Sequence, residues 1–67
     1  MRVTVNGAER ELAAPRASVA DLVRELGVEG KRIAVERNGA IVPKSRYAET
    51  RLADGDRLEI VGAVGGG

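Results

Sequence analysis

The chain ends in Gly65-Gly66-Gly67 and contains neither cysteine nor histidine. Without cysteine there is no thiolate nucleophile, no thiolate metal site and no disulfide, and without histidine the usual neutral-pH proton shuttle is missing. Most catalytic constellations are removed at once. The group left with distinctive chemistry is the terminal carboxylate of Gly67. It acylates nothing until it is activated. Attack of one carboxylate oxygen on the α-phosphate of ATP would make an acyl adenylate, and a sulfur nucleophile could then expel AMP to leave a thiocarboxylate. Glycine suits this chemistry because its missing Cβ lets the reacting carbon enter a narrow channel, and Gly65 and Gly66 keep the approach slim. A glycine-rich end also has a plainer reading as a frayed terminus, so the tail does not decide by itself.

Other candidates are fewer. Asp54-Gly55-Asp56 places two carboxylates close together, but two without further ligands fall short of a calcium loop, and a turn is the better reading. Tyr47 is the single aromatic residue and is expected to cover an edge of the core. Eleven basic and ten acidic residues give a net charge of +1. With signs interspersed, neither a phosphate-neutralising field nor a base-stacking platform is present, and scattered arginines read as a solvated surface. No apolar run approaches the roughly 18 residues of a membrane span, and residues 1–11 carry Arg2, Glu9, Arg10 and Glu11 where a signal peptide needs an apolar stretch. The expected compartment is the cytoplasm.

Sixty-seven residues make one small domain, and nine Val, five Leu and three Ile supply a modest core. Met1 to Val5 alternates, with Val3 and Val5 on one face. Asn6-Gly7 then gives a two-residue turn, and Ala8 to Ala13 answers as a charged edge strand anchored by Leu12. Ser18 and Asp21 have the spacing of a capping box. Val19, Leu22, Val23 and Leu26 form a helical stripe that Gly27 stops, with Val28 packing back in a Schellman motif. Ile33 to Arg37, Asn38-Gly39 and Ala40 to Val42 form a second hairpin, closed by Pro43. Ser45, Arg46 and Tyr47 read as a helical turn or loop. Arg57 to Val61 is the last strand, with Leu58 and Ile60 inward and Glu59 and Val61 outward.

About five strands with one principal helix make an α+β fold in which the helix can bury its stripe only against one face of a mixed sheet, the β-grasp pattern. Residues 1–62 are expected to form this domain and residues 63–67 a flexible tail.

Val3-Thr4-Val5-Asn6-Gly7, Ser18-Val19-Ala20-Asp21-Leu22-Val23, Ile33-Ala34-Val35-Glu36-Arg37-Asn38-Gly39, Ile41-Val42-Pro43, Leu52-Ala53-Asp54-Gly55-Asp56 and Ala63-Val64-Gly65-Gly66-Gly67 follow one another in this order. Together they resemble the ThiS family, the small ubiquitin-like sulfur carriers of thiamine biosynthesis, over essentially the whole chain. A terminal Gly-Gly is shared by ubiquitin-like proteins generally, whereas the full series is specific to this family. Two departures stand out: Gly65 fills the variable place before the terminal glycines, and Tyr47 stands where relatives often carry Trp.

The resemblance implies that a ThiF-type adenylyltransferase activates Gly67 with ATP and magnesium, that sulfur originating from a cysteine desulfurase makes the thiocarboxylate, and that thiazole synthase, ThiG, receives the sulfur. Gly66 would be the slim neighbour of Gly67, and Val61, Ala63 and Val64 would help dock the partners. The carrier would bind no cofactor and catalyse nothing itself. The same tail chemistry also fits a molybdopterin-synthase small subunit or a carrier for tRNA thiolation or secondary metabolism. A ubiquitin-like modifier would instead join Gly67 to a lysine, and a plain interaction module would leave the glycines dispensable.

Overall fold

The computed structural model describes residues 1–13 and 17–62, and within them both Asn-Gly dipeptides close hairpins. Asn6 and Gly7 have φ of 50° and 84°, and Asn38 and Gly39 have 51° and 88°. Two successive positive values give a turn whose twist matches that of the strands it joins. The first turn pairs β1 (Arg2–Val5) with β2 (Ala8–Glu11), and the second pairs β3 (Ile33–Arg37) with β4 (Ala40–Val42). Between the hairpins lies β5 (Arg57–Gly62), parallel to β1 and antiparallel to β3, so the order is β2-β1-β5-β3-β4. The charged β2 takes one edge, as its sequence suggests. It ends at Glu11, short of the expected Ala13, because its partner there, Arg2, is the first residue of β1; one further bond, from the Leu12 N–H to the Met1 carbonyl at 2.8 Å, lies past that pair.

The helix α1 (Val19–Glu25) is closed at both ends by local chemistry. Ser18 Oγ accepts from the Asp21 N–H at 3.2 Å, and Asp21 Oδ2 accepts from the Ser18 N–H at 2.9 Å, completing the capping box. Two further donors of the first turn, on Val19 and Ala20, are taken by the carbonyls of Thr50 and Tyr47 at 2.9 and 3.1 Å. The opposite end is a Schellman motif: Gly27 at φ 75° donates to the Arg24 carbonyl and Val28 to that of Val23. Seven residues are too few for a helix to persist alone in water, so burial stabilises it. Val19, Leu22 and Val23 are buried, and half-buried Leu26 and Val28 extend the contact.

Val3, Val5, Val35 and Leu58 meet that stripe from the sheet, with Leu12, Val42 and Leu52 closing the margins. The polar segment after Pro43 is a 3-10 turn (Lys44–Arg46), and Tyr47 behind it is half-buried against the core, as its ring predicts. One helix packed on a five-stranded mixed sheet, with the first and last strands side by side at its centre, is the β-grasp fold. No helix among the described residues is long and apolar enough to cross a membrane.

Candidate functional site

The residues expected to carry chemistry follow β5, so the site is built from what holds that strand. On one side β3 pairs with it along its length, from Arg37 opposite Leu58 to Ile33 opposite Gly62. On the other side β1 pairs only as far as Val5 opposite Leu58 before its own turn carries the chain away. The ladder is nevertheless continued. The Asn6 N–H donates to the Leu58 carbonyl at 2.9 Å, and its side-chain amide then reaches one step further. Asn6 Nδ2 donates to the Ile60 carbonyl at 3.0 Å, and Asn6 Oδ1 accepts from the Ile60 N–H at 2.7 Å. A side chain thus imitates the peptide unit that β1 cannot supply.

The start of β5 is held just as closely. Gly55, at φ 89°, allows the turn through Ala53–Asp56 that delivers the chain to Arg57, and its N–H donates to the Arg2 carbonyl at 2.7 Å. Asp54 Oδ1 accepts from the Arg2 N–H at 2.7 Å. Asp56 is only 6% exposed and accepts from three donors: Arg37 Nε at 2.8 Å, Asn38 Nδ2 at 3.0 Å and the Ala53 N–H at 2.8 Å. Burial alone would raise its pKa. The bonds from Asn38 and Ala53, with the adjacent Arg37 guanidinium, outweigh that and hold the carboxyl below its ordinary 3.8. Asn38 also grips Arg57 twice, accepting from its N–H at 2.9 Å and donating to its carbonyl at 2.7 Å.

Val61 lies on the sheet face turned away from the helix, opposite Ala34, and is 59% exposed. The other expected site residues, Ala63, Val64, Gly65, Gly66 and Gly67, lie outside the described residues. Asn6, Asn38 and Asp56 hold β5 and its approach in place, beyond the turns that their dipeptides predict. The available signal was the choice of Asn over Gly at the first turn position, where glycine satisfies the backbone but has no amide with which to hold a neighbouring strand.

A β-grasp domain whose central strand runs toward a glycine-rich end defines the ubiquitin-like class. Within that class the ThiS family model matches residues 3–67. The sulfur carrier protein ThiS of Bacillus subtilis is 40% identical over 63 residues, covering 94% of this chain and 96% of that protein. A thiazole synthase of Paramagnetospirillum magneticum is 51% identical over all 67 residues, which span 20% of its length. The crystal structure of the thiamine biosynthesis protein ThiS from Geobacter metallireducens superposes with a TM-score of 0.85 at 32% identity, covering all of both chains. The chain belongs to the ThiS family.

Proposed function

We propose that the chain is a sulfur carrier of thiamine biosynthesis whose working group is the carboxylate of Gly67. A ThiF-type adenylyltransferase, using ATP and magnesium, transfers AMP to that carboxylate with loss of pyrophosphate. Sulfur originating as the persulfide of a cysteine desulfurase, and reduced to the sulfide level by a thiol, then expels AMP to leave the thiocarboxylate, which delivers sulfur to thiazole synthase. Gly65 and Gly66 give the acyl carbon unbranched access, while Val61, Ala63 and Val64 contact the partners. The carrier contributes presentation and leaves the bond-making to them.

The observation that carries this reading is the placement of β5. A strand locked on one side by β3 and on the other by β1 and Asn6 gives the segment beyond Gly62 a fixed origin. The Bacillus subtilis relative supports the sulfur chemistry, and the thiazole synthase with a segment matching this whole chain supports that acceptor.

The test is intact-mass spectrometry after incubation with the activating enzyme, ATP, magnesium and a sulfur source. A gain of about 16 Da at Gly67, from exchange of oxygen for sulfur, is expected. No gain under conditions that thiolate a known carrier would reject the proposal, and a lysine-linked adduct would move the chain to the protein modifiers.

A further inference from the structure

A groove of about 640 Å³ lies where the start of α1, the connection through residues 28–32, the 3-10 turn and the last two residues of β5 meet. Val23, Val28, Ile33 and Tyr47 supply its apolar surface. Lys31 and Arg32 approach it from the connection before β3, and Lys44 from the 3-10 turn. The one carboxylate lining it, Glu29, already faces Arg24 at 3.8 Å.

Charge pairing elsewhere makes this region distinctive. Among the described residues Arg2, Arg10, Arg24, Arg37 and Arg46 each face a carboxylate within 4.0 Å, whereas Lys31, Arg32, Lys44 and Arg57 face none, and the first three of these four line the groove. Three unpaired cations from two segments therefore gather around one apolar concavity. A surface that served only solubility would intersperse the signs, as the rest of this domain does. A nucleic acid is disfavoured because Tyr47 is the only ring and is half-buried, leaving no stacking platform.

We propose that the groove docks a segment of a partner protein that sets an aliphatic or aromatic side chain into the apolar floor and flanks it with aspartate or glutamate. The apolar anchor supplies affinity by leaving water, and the flanking acids fix orientation and speed the encounter. Val61 and Gly62 line the groove, so a segment held there lies beside the point from which residues 63–67 continue. The docking chemistry does not depend on thiolation. A chain that failed to gain sulfur while still binding such peptides would leave this inference standing.

The test is selection of a random phage-displayed peptide library against the full chain, followed by titration of the isotope-labelled protein with the selected peptides. Acidic peptides with an apolar anchor are expected, with amide shifts centred on Val28, Ile33, Tyr47 and Ala48. Lys31→Glu combined with Lys44→Glu should weaken binding about tenfold or more, and the paired glutamine variant should give an intermediate loss. Glu36→Lys with Glu59→Lys, at positions outside the groove lining, should leave it unchanged. Failure to enrich any peptide, selection of basic or uncharged peptides, binding that survives the double charge reversal, or shifts centred on Ile41 and Glu36 would each overturn the proposal. Concentration-dependent self-association abolished by the same reversal would also overturn it, by making a second copy the occupant.

Discussion

The start of β5 and the groove beside its end use the same kinds of side chain for opposite purposes. At the start, Asp56, Arg37 and Asn38 satisfy one another, and Asp56 is buried. Along the groove, Lys31, Arg32 and Lys44 face water without an acidic partner among the described residues. Removing charge from the first region leaves donors stranded in poor solvent, whereas removing it from the second leaves the fold untouched. Polar residues that cost stability when replaced belong to the scaffold. Those that cost nothing are available for recognition.

Urea denaturation should separate the two regions along a graded series. Leu22→Ala, at 1% exposure on the inner face of α1, sets the upper end at about 2–5 kcal/mol. A surface-sized loss would mean that the helix does not pack as described. Asp56→Ala should cost about 3 kcal/mol, because it strands three donors together. If it behaved like a surface substitution, the contrast between the two regions would collapse.

Acid titration sharpens the same contrast. The folded pKa of Asp56 lies below its ordinary value, so its contribution is fully present above 3.8 and is lost as pH falls through and below that value. Asp21, held low by the Ser18 N–H and hydroxyl and by Arg24, acts in the same direction. Asp56→Asn should therefore be less stable at neutral pH and lose less stability on acidification than the parent. An unchanged acid slope would exclude Asp56 as a contributor.

Asn6→Gly keeps a residue that accepts positive φ but deletes both bonds to Ile60, and should cost about 1–2 kcal/mol. Faster amide hydrogen exchange at Ile60 would locate the loss. Smallest of all, Lys31→Glu with Lys44→Glu should change stability by no more than about 0.5 kcal/mol. A larger destabilisation would show that these lysines support the fold.

Much of the local structure was legible in the sequence because its causes lie within a few residues. Asn6-Gly7 and Asn38-Gly39 prescribe their turns, Ser18 and Asp21 cap α1 across one turn, and Gly27 supplies the left-handed exit. The strand alternation also placed Leu58 inward and Val61 outward. The role of Asp56 was not legible, since it depends on Asn38 and Arg37, 18 and 19 residues earlier in the chain. Asn6 likewise meets Ile60 across 54 residues. The groove draws its cations from two segments whose meeting only the folded chain specifies.

The central place of β5 also imposes an order of events during synthesis. Until Arg57–Gly62 has been made, the two hairpins have no strand to join them, and β1 and β3 each lack the neighbour that pairs their inner edge. A chain lacking Arg57–Gly62 would therefore hold two hairpins with no strand ladder between them.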